Sequence, residues 1–349
     1  MKEHIVMTLD AGGTNLVFSA MQGGKEITEP IKLPTITDDL DACLASLRSG
    51  FEQVRNSLEK APSAISFAFP GPADYEAGII GDLPNFPAFR GGVPLGPYLE
   101  ECFGIPVFIN NDGNLFAYGE ALGGMLPEIN ARLEEAGNEK RYKNLIGVTF
   151  GTGFGGGIMI NGRLLTGDNQ LGGYLWCQPN KIHPEWIAEE SVSVRGIQRV
   201  YREYSGDDCL YSPKEIFEIA DGIRPGDSGA ARRAFAELGE VSGAVLASAL
   251  LLIDGIVVIG GGVSGASKYI LPALLRELRA EVGMADGAHF PRLQKEVFNW
   301  EDPEERDAFL ESERPRTVIA LSRLGASRAI ASGAYYFAED RVFESIIDH

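Results

Sequence analysis

IVMTLDAGGTNLVFSAMQGG, residues 5–24, is an apolar run, a loop of small and polar residues, a second apolar run and a Gly-Gly turn. The runs His4–Leu9 and Asn15–Met21 have the length and apolar content of strands. Gly23-Gly24 is the turn signal expected between antiparallel neighbours, and Ile27–Leu33 continues the meander. About 140 residues later, VTFGTGFGGGIMING (residues 148–162) repeats the order. A strand (Leu145–Phe150) meets a Gly/Thr loop, a second strand follows at Gly157–Ile160, and Asn161-Gly162 is a hairpin turn. The repeat predicts two copies of one β-meander unit facing each other across a cleft.

Outward from these two segments the chain alternates apolar runs with helical spacing. Leu40, Leu44, Leu47, Phe51, Val54 and Leu58 share one helix face, with Thr37 or Asp38 as the cap. Ala64–Phe69 and Pro106–Ile109 read as strands, and Pro94–Cys102 and Gly113–Leu122 as helices. Further on, helices are expected at Val192–Tyr204, Ser212–Ala220, Ser228–Leu252, Ile270–Val282 and Ala326–Ala338, with strands at Gly255–Ile259 and Val318–Leu321. The charged stretch 127–143 reads as a solvated helix or an excursion. Residues 285–315, with the acidic run Glu301-Asp302-Pro303-Glu304-Glu305, read as irregular.

Composition narrows the function classes. The 349 residues suffice for two domains. The net charge of −18 gives no basic face for a nucleic acid. A hydrophobic content of 44% excludes disorder. Cys43, Cys102, Cys177 and Cys209 show no CxxC spacing, which argues against a zinc site and reads as scattered buried thiols. The first residues lack a signal-peptide pattern and no run reaches 18 apolar residues, so the expectation is a reduced, cytoplasmic protein without a membrane partner.

Several short segments carry possible chemistry. In Asp10-Ala11-Gly12-Gly13-Thr14-Asn15, successive glycines let backbone N–H groups converge on an anion. Asp10 at the strand end suits Mg²⁺ held together with phosphate oxygens. A plain turn with a capping Asp fits the same residues, and the GxxxxGK[ST] phosphate loop is not present. Gly151–Gly157 is a second candidate cradle, or a flexible hairpin. Gly260-Gly261-Gly262 after an apolar strand is either a bare surface for a nucleotide or a helix-start turn. Asp112 in Asn110-Asn111-Asp112-Gly113-Asn114 has the chemistry of a general base, with Asn111 beside it for hydroxyl binding. Both residue types are also ordinary N-caps. Asn85 lies in a Pro-rich loop, where a turn role serves equally. Glu189 and Glu190 precede a helix, so a cap explains them too, and His183 reads as a loop residue.

Taken in order, Asp10–Asn15, Pro70-Gly71-Pro72, Asn85, Asn111-Asp112, Gly151–Gly157 and Val258–Gly262 resemble the ROK family of sugar kinases and repressors, and within it the bacterial glucokinases and hexokinases. The resemblance implies an α/β, two-domain actin-like ATPase (ribonuclease H-like) fold with a central interdomain cleft. The expected domains are residues 1–112, completed by the helix 326–349, and 113–325. It further implies that Asp112 deprotonates the sugar's primary hydroxyl. Asn85, Asn111 and Glu189 would hold sugar hydroxyls, and Gln170 stands at another sugar contact. Gly12, Gly13, Thr14 and Asn15, with Thr152 and Gly153, would hold ATP phosphates. Asp10 would position Mg²⁺, and Gly261 and Gly262 would line the adenosine site. MgATP would bridge the two glycine loops.

The sequence also departs from the family pattern. Where the family often carries Glu-x-Gly-His and a zinc-binding Cys-rich loop, this chain has Gln170-Leu171-Gly172-Gly173 and then only Cys177, so no zinc is expected. Gly173 in the His position leaves room for a 2-acetamido group. The expectation is glucose phosphorylation by ATP, with N-acetylglucosamine or N-acetylmannosamine as alternative acceptors and a non-catalytic sugar-binding protein as a further alternative. A homodimer is the family expectation. A repressor needs a helix-turn-helix before the first strand, and about three residues stand there.

Overall fold

The computed structural model describes residues 4–11, 15–83 and 86–347. The chain forms two compact units. One comprises the residues up to Gly124, Thr166–Gly172 and those from Ser327 on; the other comprises Met125–Leu165 and Gly173–Ala326.

In the first unit β1 (Val6–Ala11) pairs antiparallel with β2 (Asn15–Gln22), whose other edge carries β3 (Lys25–Glu26) and β4 (Ile31–Pro34). Helix α1 (Leu40–Ser57) returns the chain so that β5 (Ala64–Ala68) lies parallel to β1, the kind of crossover parallel pairing demands. Asp39, one residue beyond the expected cap, accepts the Ala42 N–H at 3.0 Å. Cys43, Leu47, Phe51 and Val54 are buried on one helix face, as their spacing requires. Gly50 lets that face approach closely, since a Cβ there would stand 2.3 Å from the Phe18 ring. The small hairpin β6 (Ala73–Asp74) and β7 (Ile79–Ile80) leads to α2 (Leu95–Phe103) and β8 (Val107–Asn110), parallel to β5. Helix α3 (Asp112–Leu122) follows and groups with this unit, which runs to Gly124. Phe18, Phe51, Phe67, Phe69, Phe86 and Phe89 form a chain of ring contacts in the core.

The second unit repeats this plan. After α4 (Met125–Glu135), β9 (Leu145–Phe150) pairs antiparallel with β10 (Phe154–Ile160), which pairs with the short β11 (Arg163–Leu164). Asn161 and Gly162 have φ of 51° and 79°, the left-handed turn that Asn-Gly favours. Helices α5 (Val194–Ser205), α6 (Pro213–Ala220) and α7 (Ser228–Leu252) precede β12 (Ile256–Gly260), parallel to β9. Then come α8 (Ser267–Leu278), the hairpin β13 (Glu281–Gly283) and β14 (His289–Pro291), β15 (Glu296–Asn299), α9 (Pro303–Glu311) and β16 (Arg316–Leu321). Strand β16 lies between β12 and β15, parallel to both. The order β11-β10-β9-β12-β16 thus matches β3-β2-β1-β5-β8. Helix α10 (Ala326–Ile347) closes the chain and groups with the first unit.

Helix α7 has the length and composition of a bilayer-crossing helix. It is instead the core helix of the second unit, packed on α5, α6 and α8. Gly239 and Gly243 set the spacing to α8, since Cβ atoms there would meet the Ile270 and Leu274 carbonyl oxygens at 2.2 and 2.7 Å.

Three expectations change. The stretch 127–143 begins as α4, which buries Met125, Leu126, Ile129 and Leu133, so its charges are the outer face of a packed amphipathic helix. The expected helix to Val282 ends at Leu278 and is followed by a strand. Residues 285–315 contain β14, β15 and α9. The acidic run is the start of α9: the Asp302 side chain accepts from the Glu304 and Glu305 N–H groups, and Pro303 occupies the first turn.

The thiols are not uniformly buried. Cys43 is buried, Cys102 is half-buried, and Cys177 and Cys209 are exposed. Burial pushes the Cys43 thiol up to about 11, and the thiolate is the reactive form. In native protein at pH 8, Cys177 and Cys209 should react with a disulfide reagent within minutes while Cys43 stays protected until denaturant is added. Native reaction of all four thiols at one rate would contradict the packing of α1.

Candidate functional site

The β8–α3 junction carries the Asn-Asn-Asp segment of the first unit. Asn110 ends β8 and is buried. Its Oδ1 accepts from the Asn111 N–H at 2.8 Å and from Asn114 Nδ2 at 2.9 Å. Asn111 is the helix cap: its Oδ1 accepts the Asn114 N–H at 2.7 Å. Asp112 is therefore not the cap. It opens the first turn of α3, exposed, with Oδ1 accepting the Gly113 N–H at 2.8 Å. The buried Asn110–Asn114 pair fixes where the strand stops and the helix starts, and so fixes the Asp112 carboxylate. Such a carboxylate can take a proton from a hydroxyl brought against it.

Asp10 is half-buried near the end of β1, in register with Val17, and Asn15 is exposed at the start of β2. Gly12, Gly13, Thr14 and Asn85 lie outside the described residues. Gln170 has φ of 59° and donates from Nε2 to Glu76 Oε2 at 3.0 Å. Among the described residues, no group of three or more His, Cys, Asp or Glu side chains is assembled to hold a metal.

In the second unit the glycine-rich segment divides. Gly155, Gly156 and Gly157 are not loop: they lie in β10, paired with Thr149, Val148 and Gly147. At Gly156 the small size serves packing, because a Cβ there would meet Leu175 at 3.1 Å. Gly151–Gly153 alone forms the turn, with Thr152 exposed. The Gly151 carbonyl accepts the Val194 N–H at 2.9 Å, which ties this turn to the start of α5. Gly261, at the end of β12, has φ of +90°, and a Cβ there would stand 2.3 Å from the Phe150 carbonyl oxygen. Two backbone turns, Gly151–Gly153 and Gly261-Gly262, therefore lie at the same ends of adjacent parallel strands, β9 and β12. Ligands of open α/β sheets bind at the carboxyl ends of the strands.

Glu189 and Glu190 lie in a short 3-10 turn, and the cap of α5 is Ser193 instead, which accepts the Gly196 N–H at 3.3 Å. Glu189 Oε2 accepts the Phe154 N–H at 3.0 Å. Arg195 donates to Glu189 Oε1 at 2.9 Å and to Glu190 Oε1 at 2.7 Å. This hydrogen bond holds the Glu190 carboxyl below the usual carboxylate range. Arg195 belongs to none of the motifs; its spacing of five and six residues from the two Glu residues is the signal the sequence offers. His183 stacks on Trp186, with centroids 4.2 Å apart, and is a loop residue.

A sequence model described as the ROK family matches residues 6–285. An N-acetyl-D-glucosamine kinase of Vibrio atlanticus is 27% identical over 80% of this chain and 97% of its own length. A glucokinase of Thermotoga maritima is 28% identical over 76% of this chain and 84% of its own. The crystal structure of a glucokinase from Parabacteroides distasonis superimposes with a TM-score of 0.87 at 59% identity, covering 97% of this chain and 98% of that one.

Proposed function

Because the chain belongs to the ROK family, we propose that it is an ATP-dependent hexose kinase that transfers the γ-phosphoryl group to the 6-hydroxyl of glucose. The observation that carries this reading is the 59% identity with the Parabacteroides distasonis glucokinase over nearly the whole of both chains. The fold is that of the two-domain actin-like ATPases.

In the reaction the bond between the γ-phosphorus and its bridging oxygen breaks, and a bond from the sugar O6 to phosphorus forms. The hydroxyl proton goes to Asp112, and ADP leaves with the bridging oxygen. Asp112 is built for this, being exposed on a helix end whose cap is supplied by another residue. Asn85, Asn111, Gln170 and Glu189 bind and orient the sugar. Thr152 and Gly153, with Gly12, Gly13, Thr14 and Asn15, take the phosphates of MgATP. Asp10 would hold the Mg²⁺ that enters with the nucleotide, and the ion would offset charge on the phosphates. Gly261 and Gly262 offer bare backbone to the nucleoside, and Gly261 tolerates no Cβ. The protein works as a homodimer in the cytoplasm, where its nucleotide is supplied.

A second acceptor class, the N-acetylhexosamines, is favoured by one local feature. Gly173 has φ of +79°, and the nearest atoms to where its Cβ would stand, from Ile158 and Gly157, lie 3.7 to 3.8 Å away, so no side chain crowds the position. Measuring ADP release with MgATP against glucose, N-acetylglucosamine, N-acetylmannosamine, mannose and fructose tests both readings. Glucose should give the highest kcat/KM. A preference for an N-acetylated sugar would move the assignment to the second reading, and no ADP release on any sugar would overturn the kinase reading.

A further inference from the structure

Arg195, on the first turn of α5, joins two carboxylates. Its Nη2 donates to both Glu189 and Glu190, and its Nε faces the two Glu190 oxygens at 3.2 and 3.3 Å. Glu190 therefore holds the guanidinium as a fork, and the guanidinium fixes one oxygen of Glu189. The other oxygen accepts the N–H of Phe154, the residue that follows Thr152-Gly153. The fit is tight, since a Cβ on Gly153 would stand 2.6 Å from Glu189 Oε2. An ionised carboxylate has roughly four acceptor sites. Arg195 and Phe154 fill two, which leaves two for hydroxyl donors.

We propose that Arg195 is a positioning residue that makes Glu189 a joint between the sugar subsite and the phosphate-binding turn, so that sugar and nucleotide each favour the other's binding. The proposal rests on the hexose-kinase reading, in which Glu189 meets the sugar and Thr152-Gly153 meets the phosphates. A hydroxyl bound to Glu189 then acts on the carboxylate that fixes the Phe154 N–H, and the turn's backbone is set for phosphate. Coupling of this kind is reciprocal. Without Arg195 the carboxylate keeps its bond to Phe154 but loses its fixed second oxygen. Sugar contact then no longer transmits to the turn.

The test is calorimetric binding of glucose with and without Mg-AMPPNP, for the wild type, Arg195→Met and Arg195→Lys. The wild type should bind glucose several-fold more tightly when the nucleotide analogue is present. Arg195→Met should weaken glucose binding roughly tenfold and bring the ratio of the two affinities to one. Arg195→Lys, which keeps a cation without the fork, should restore part of both. The arginine side chain is nearly half exposed, so the melting temperature should hardly move, and a purely structural role would not change the affinity ratio. Arg195→Met with the wild-type ratio and affinity would overturn the proposal and leave the kinase reading standing, as would a wild-type ratio of one. Wild-type protein that binds no sugar would overturn both.

Discussion

Asp112→Asn should lower kcat on glucose by about 10²- to 10⁴-fold, the range a positioned general base contributes, while the KM for glucose changes little. The substitution is close to isosteric. An asparagine at this position keeps an oxygen for the Gly113 N–H, now held at 2.8 Å. Asn111 still caps α3 and Asn110 still pairs with Asn114. The helix start therefore survives, and what is lost is the carboxylate proposed to accept the O6 proton. Binding and chemistry separate in such a variant: a fall in kcat at constant KM marks an interaction made only in the transition state. Steady-state rates over pH 6–9 for wild type and variant provide the check. Turnover within threefold of wild type would remove Asp112 from proton transfer and leave it a residue of the helix start.

Much of this architecture was legible where periodicity and turn chemistry agree. The strand–loop–strand repeat at residues 5–24 and 148–162 predicted the paired sheets, because a Gly/Thr loop between two apolar runs has few other folds. Helix α7 has the expected bounds, Ser228–Leu252, and the structure adds Asp227 as its cap. The reading failed where charge concealed a start signal. Glu301-Asp302-Pro303-Glu304-Glu305 lies in a stretch that reads as irregular, yet Asp at the cap, Pro next and two Glu in the first turn are the residues that suit a positive helix end. Gly155 and Gly156 mislead for the opposite reason. Glycine suggests a loop, but here it occupies strand positions, and Leu175 covers the one at Gly156. For the proposed site, the sequence singles out Asp112 and the Gly151–Gly153 turn as candidates, and the role of Asp112 comes from the family resemblance. It does not single out Arg195, whose proposed role depends on two carboxylates and a backbone N–H brought together by the 3-10 turn at Ala188–Glu190.

Gly333→Val should be the most damaging single change to stability in the first unit. Helices α3 and α10 cross backbone to backbone. A Cβ on Gly333 would stand 1.8 Å from the Leu115 carbonyl oxygen, and one on Gly119 would stand 1.9 Å from the Ala329 carbonyl oxygen. Both obstacles are backbone, so no side-chain rotation relieves them, and the helices must separate. Overpacking of this kind costs about 3 kcal/mol or more, which corresponds to a fall in melting temperature of roughly 6–12 °C. The exposed neighbour Arg328→Ala should stay within ~0.5 kcal/mol. The damage should reach activity as well, because α3 carries Asp112 at its first residue and moves with the crossing. A variant that still folds should show a lowered kcat at temperatures well below its melting point. A Gly333→Val protein that melts with the wild type would mean that α3 and α10 lie further apart than backbone contact, and the placement of Asp112 would then need another support.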